Sequence, residues 1–318
     1  MKGFDAEFRD IEHYIRAITE RIWEGRRIED IRRYYGEHCA VETPAGVTIG
    51  TQAVIDGTLA TLAAFPDRRL LAEDVIVSGA AQTGFISSHR IFSPMTHAGP
   101  GAFGPPSLKP VHARTIADCV CIDNRIVHEW LVRDQAAIAR QTGQHERDLA
   151  QRWLDERGGF DKPAMPPPPA PYRLHIDPHP LAAAYAEGTR ALWQGRGPDA
   201  LAATHDAAVI AALPGGEVRV GLGALQSFWA EWREALPSAR FAVEHLVANE
   251  RPGRPTAIAL RWRVHARHDG GSRYGTPTAR AVEVMGINHA ELEHGLVVRE
   301  WVLIDDVAVW MQILEPRR

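Results

Sequence analysis

Asp134 ends the run Arg125-Ile126-Val127-His128-Glu129-Trp130-Leu131-Val132-Arg133-Asp134, whose period-two character reads as a strand. Side chains alternate across a strand, so His128, Trp130, Val132 and Asp134 share one face, and Glu129, Leu131 and Arg133 take the other. With Asp123-Asn124 as a two-residue turn, Asp134 stands opposite Ala113 and near Thr115, in a row of small side chains that continues through Ala117 and Cys119. Beside Trp130 that row reads as a pocket floor. The opposite face would carry His112, Arg114, Asp118, Glu129 and Arg133 toward water. A carboxylate on such a floor is partly desolvated, which raises its pKa toward the range useful for proton transfer near neutrality. The chemistry expected is removal of a proton beside a carbonyl, then aldol-type ring closure or isomerisation of an apolar substrate. His97, His89 and Tyr34 are candidate polar partners for the developing enolate. Glu42, Trp130 and Ala117 are candidate pocket residues.

Two other roles for Asp134 stay open. One residue more in the turn would place it against Arg114 as an ion pair, because a one-residue slip inverts every face. It could also cap a helix beginning near Ala136.

The elements that must position these residues occur twice. Phe8, Ile11, Ile15, Ile18 and Ile22 recur at helical spacing before Trp23-Glu24-Gly25, and Leu181, Tyr185 and Leu192 do so before Trp193-Gln194-Gly195. Helices over 52–65 and 224–236 each stop at a proline, Pro66 and Pro237. Strand patterns follow at 70–77, 84–92, 111–122 and 125–134, and again at 241–247, 257–264, 280–288 and 296–305. Helices first and consecutive strands second predict α+β halves, each a strongly curved antiparallel sheet under about three helices with a pocket between. Eight of the 22 prolines fall between Asp161 and Pro180, which reads as an extended spacer. The expected division is a first domain over 1–160 with a C-terminal helix, a linker over 161–180 and a second domain over 181–318.

Composition narrows the function classes. The 318 residues carry 36 basic and 40 acidic side chains with a net charge of −4, and no basic stripe points to nucleic acid. No apolar run is long enough to span a membrane, and residues 1–10 lack a signal-like segment, so a cytoplasmic protein is expected. Cys39, Cys119 and Cys121 have neither disulfide nor zinc-type spacing and read as core. The 15 histidines form no metal-ligand pattern, and Gly221-Leu222-Gly223 lacks the strand and third glycine of a dinucleotide site. Neither metal nor organic cofactor is expected.

The paired motifs resemble those of the SnoaL-like polyketide cyclases, within the cone-shaped folds related to nuclear transport factor 2. In the first half they are Phe65-Pro66-Asp67, Thr96-His97-Ala98-Gly99 and the strand ending at Asp134. In the second half they are Leu236-Pro237, His268-Asp269-Gly270, Thr276-Pro277-Thr278-Ala279-Arg280 and Glu300-Trp301-Val302-Leu303-Ile304-Asp305. The resemblance implies two tandem cone-shaped domains and a cofactor-independent acid/base role for the aspartate ending the last strand. That role maps onto Asp134 and onto Asp305, with Trp301 and His268 as the second half's pocket residues. The resemblance also implies pairing through sheets, so that the two domains form an internal pseudo-dimer and further self-association to a homodimer is open. Relatives of the fold also include proteins that only bind a small ligand or dimerise, so a non-catalytic binding or interaction protein is the alternative.

Overall fold

Helix α1 (Ile11–Thr19) starts where Asp10 accepts a hydrogen bond from His13 N at 2.7 Å, and it buries Ile11, Tyr14, Ile15 and Ile18 on one face. It runs into a π-helical turn over Glu20–Glu24 that Gly25 ends. A short helix α2 (Ile31–Tyr34) leads into β1 (Tyr35–Thr43) and β2 (Gly46–Ile49). Helix α3 (Thr51–Ala64) follows Gly50, which turns the chain at φ 95°. Then come β3 (Leu71–Ala80), β4 (Gly84–Thr96), β5 (Pro110–Ile122), β6 (Arg125–Arg133) and α4 (Gln135–Thr142). These elements belong to a computed structural model that describes residues 1–316.

The six strands form one sheet in the order β2-β1-β6-β5-β4-β3, and β1 runs parallel to β6 while every other neighbour is antiparallel. The sheet is therefore mixed rather than wholly antiparallel. The β1–β2 hairpin is absent from the sequence reading, because Tyr35-Gly36-Glu37-His38-Cys39 shows neither clean alternation nor an apolar run.

Register decides which β6 side chains face the helices. Asp123 and Asn124 make the expected two-residue turn, both with positive φ, and Ile122 pairs with Arg125. A bulge then skips Val127: Cys121 pairs with Ile126, but Val120 pairs with His128. One extra residue turns the rest of β6 over. Thr115, Ala117 and Cys119 keep the inward face expected of them. Their partners across the strand pair are Arg133, Leu131 and Glu129, not Val132, Trp130 and His128.

The second half repeats this plan. Helix α5 (Glu146–Arg157) precedes α6 (Pro180–Gln194), β7 (His205–Leu213), β8 (Glu217–Val220), α7 (Leu222–Ala235), β9 (Arg240–Asn249), β10 (Thr256–Arg267), β11 (Ala281–Glu293), β12 (Leu296–Ile304) and α8 (Asp306–Leu314). Its sheet has the order β8-β7-β12-β11-β10-β9, with β7 parallel to β12. One constant offset in numbering carries α3 onto α7, β5 onto β11 and β6 onto β12, and the bulge recurs at Val298.

Two compact units result, Met1–His145 with Asp161–Arg173, and Glu146–Phe160 with everything from Leu174. Helix α5, expected to close the first domain, instead packs on α8 in the second unit, with Leu149, Ala150, Trp153 and Leu154 buried. The expected spacer is divided as well. Lys162 pairs with Glu42 of the first unit at 2.7 Å, whereas Asp177 N donates to Leu246 O of the second at 2.9 Å. Among the described residues no helix is long and apolar enough to cross a membrane.

Candidate functional site

The first unit keeps a cavity of about 280 Å³ between sheet and helices. Ile15 and Trp23 close it from the α1 side, Val54, Thr58 and Thr61 from α3, and Leu70, Ile91 and Leu131 supply most of the remaining apolar wall. The ionisable groups on the wall are Glu129, Tyr35, His89, Arg68 and Arg133.

Glu129 is buried, and burial pushes its carboxyl up to about 7, against the opposing pull of the Tyr35 hydrogen bond and the Arg133 charge. Tyr35 Oη donates to Glu129 Oε2 at 3.3 Å. Burial, and then the neighbouring Glu129, hold the Tyr35 phenol well above its usual pKa, so it stays a donor. His89 Nδ1 lies 3.3 Å from Ser87 Oγ, and burial lowers its pKa to about 4, leaving a neutral imidazole on the wall. A carboxyl that titrates near neutrality and a neutral ring therefore face one mostly apolar space.

The cavity's other end is cationic. Arg68, reached just after the Pro66 stop of α3, and Arg133, the last residue of β6, both line it beside Thr115. Arg133 pairs across the strands with Thr115, four residues along β6 from Glu129, or about 13 Å of strand.

Several residues singled out in the sequence lie elsewhere. Asp134 is the N-cap of α4, accepting from Ala137 N at 2.9 Å, and its own N–H donates to Arg114 O at 3.0 Å; it does not line the cavity. The bulge at Val127 is the reason, and the capping role is the one realised. Asp305 caps α8 in the same way, accepting from Val307 N at 3.0 Å and Ala308 N at 3.3 Å. Trp130 lies on the other face of the sheet with its ring 4.4 Å from that of His128, and Trp301 occupies the matching position on β12. Tyr34 is buried among Phe8 and Tyr14 and accepts a hydrogen bond from Arg21. Glu42 is engaged with Lys162.

His97 and His268 are twin loop organisers. His97 Nδ1 lies 3.1 Å from Ser107 Oγ, and His268 Nδ1 lies 3.1 Å from Thr278 Oγ1. Gly99 and Gly270 follow them because a Cβ there would meet Ala63 O at 1.9 Å and Glu234 O at 1.6 Å. Of the residues expected to contact a ligand, His89 and Ala117 are the two that lie on the cavity wall.

The equivalent space of the second unit is filled. Gly57, Thr58 and Thr61 of α3 correspond to Phe228, Trp229 and Trp232 of α7, and Ile91 corresponds to Trp262. The rings of Trp229 and Trp262 each lie 5.5 Å from that of Trp193, the first edge-on and the second tilted, and all are buried. Glu300, at the place of Glu129, accepts from Tyr185 Oη and, at 3.4 Å, from Asn288 Nδ2, and so has become a structural carboxyl.

A sequence profile for the SnoaL-like polyketide cyclases matches residues 13–142 and, a second time, residues 183–313. The chain belongs to the SnoaL-like polyketide cyclase family. It is a tandem member, with one copy of the fold on either side of the proline-rich segment. Solved structures similar to one copy include a SnoaL-like protein from Jannaschia sp. CCS1, 20% identical, covering 45% of this chain and 99% of that one, with a TM-score of 0.38. A SnoaL-like polyketide cyclase from Agrobacterium tumefaciens C58 is 21% identical, covering 41% and 94%, with a TM-score of 0.33. TsrD from Streptomyces laurentii is 18% identical, covering 44% and 98%, with a TM-score of 0.37. No curated protein matches the sequence.

Sequence reasoning missed Glu129, Tyr35, Arg68 and Arg133. Aligning the two halves would have exposed the last two, because Ala239 and Ile304 stand in their places.

Proposed function

We propose that the first SnoaL-like domain is an acid/base site for a small, largely apolar carbonyl compound, working without a cofactor, and that the second domain is its filled, structural counterpart. The observation that carries this reading is Glu129, a buried carboxyl with a pKa near 7 on the wall of an apolar cavity, held by the Tyr35 hydroxyl.

Ionised Glu129 takes a proton from the carbon next to the substrate carbonyl, and the C–H electron pair moves onto the carbonyl oxygen as an enolate. Neutral His89 is the N–H donor for that oxygen. The enolate carbon then attacks a second carbonyl of the same molecule, whose oxygen takes the proton from the Glu129 acid as the carbon–carbon bond forms; in a substrate with a conjugated double bond the Glu129 acid instead protonates the far carbon of the extended enolate. Either route returns the carboxylate. Tyr35 keeps its own proton and orients the carboxyl. Ile15, Val54 and Leu131 exclude water that would quench the enolate.

Deuterium exchange at the α-carbons of 2-tetralone in D2O, followed by proton NMR, tests the assignment. The wild-type protein should accelerate exchange with a rate rising through pH 7, and Glu129→Gln should fall to the buffer rate while Asp134→Asn does not. Loss of exchange in Asp134→Asn with retention in Glu129→Gln would return the base to Asp134.

A further inference from the structure

The cavity's cationic end has no use in the proton transfer described above. Arg68 is 6% exposed, yet its guanidinium makes no hydrogen bond or ion pair with any described residue; only its backbone is engaged, through Phe65 O and Arg26. Its charge is opposed by burial first, then by Arg133 and Arg26, and is favoured only by Glu24, which is itself paired with Arg69 at 3.0 Å. Thr115, 3% exposed, likewise has a buried hydroxyl without a partner, and it lines the same end. A guanidinium cannot shed its proton, so a buried one without a carboxylate is a standing cost unless a ligand supplies the anion.

The second unit shows that the fold does not require this arrangement. Ala239 stands at the position of Arg68, Ile304 at that of Arg133 and Gly286 at that of Thr115. All three polar groups are missing where the cavity is filled, and all three are present where it is open.

We infer that the first domain's cavity takes a carboxylate-bearing apolar molecule whose anionic end seats on Arg68, with Arg133 and the Thr115 hydroxyl beside it. The planar fork of a guanidinium matches a carboxylate with two parallel hydrogen bonds, and the hydroxyl can add a third. The remaining wall is apolar, so the rest of the molecule is hydrocarbon or aromatic. The inference rests on the proposal that this cavity is the ligand site, and it adds that the substrate is an acid bound by its far end. Its reactive carbonyl then reaches toward Glu129.

Calorimetric titration of the full chain with matched pairs of aryl and alkyl carboxylic acids and their primary amides tests it. At least one acid should bind the wild-type protein tenfold or more tighter than its amide. Arg68→Met should erase that preference, so that acid and amide bind alike, and Arg68→Lys should keep part of it. If Arg68→Met does not fold, Thr115→Val provides a second variant and should reduce the preference severalfold. Equal binding of acid and amide, no binding of any pair, or a preference that survives Arg68→Met would overturn the inference. So would binding of inorganic phosphate or sulfate as tight as that of the best acid, which would make this a site for a free anion. Glu129→Gln should leave the preference for acids intact, so failure of the proton-transfer assignment and failure of the anion site are read separately.

Discussion

Glu129 and Glu300 hold the same place in two sheets, each in the strand that receives a parallel neighbour and each opposite a small residue, Cys119 or Ala290. One faces a cavity and accepts a hydrogen bond from Tyr35. The other is closed in by Tyr185 and Asn288. The same fold thus carries a cavity-facing carboxyl in one half and a carboxyl closed in by hydrogen bonds in the other.

The burial of Glu129 has a pH signature. Glu129 has a folded pKa of about 7 against an ordinary 4.5, so below pH 4.5 both folded and unfolded chains hold the proton, and between 4.5 and 7 only the folded chain does. Stability therefore falls as pH rises through this window, by on the order of 3 kcal/mol, and Glu129→Gln should remove that loss. Denaturant melts of both proteins at pH 5 and pH 8 check it: the variant should be the more stable at pH 8, and parallel pH profiles would contradict the burial of this group.

Aspartates 134 and 305 are helix caps. Asp134→Ala and Asp305→Ala should each cost about 1 kcal/mol of stability, whereas Asn at either position should keep most of the cap. Urea unfolding of the four variants measures this, and a large loss on Asp134→Asn would show that the charge does more than cap α4.

Copying the second half into the first should close the site. Thr58→Trp places at α3 the side chain that fills the matching position of α7, so ligand binding should drop below detection while the circular dichroism spectrum is kept. The reverse change, Trp229→Thr, should open a void among buried aromatics at a cost of about 3–5 kcal/mol, read from thermal unfolding. A second-half core that tolerates it without loss would mean that Trp193 and Phe228 collapse into the gap.

Gly99→Ala should be severe for a different reason. Its Cβ would lie 1.9 Å from Ala63 O, so helix α3 or the loop must move, and a loss of about 3 kcal/mol or more is expected. Soluble yield and melting temperature report it.

Much of the fold was legible without coordinates. Apolar spacing located α1, α3, α6 and α7. Pro66 and Pro237 marked where two of them stop, and the repeated Glu-Trp-x-x-x-Asp run announced the duplication. These signals are local, since periodicity and proline geometry act within a few residues. The parallel placement of β1 beside β6 was not legible, because it depends on a contact between segments some 90 residues apart. Nor was the change of partners that moved α5 into the second unit.

The site was decided by one residue. Period-two alternation correctly turned Thr115, Ala117 and Cys119 inward, but the bulge at Val127 has no signature in residue type, and it reversed β6. Sequence alone therefore determined that the chain holds two copies of one fold and which strand carries the candidate chemistry. Only the tertiary structure decided that Glu129 and Arg133, rather than Asp134 and Trp130, face the cavity, because a sheet's faces are set by hydrogen-bond register with a neighbouring strand. Only packing decided that the first copy stays open while four tryptophans fill the second.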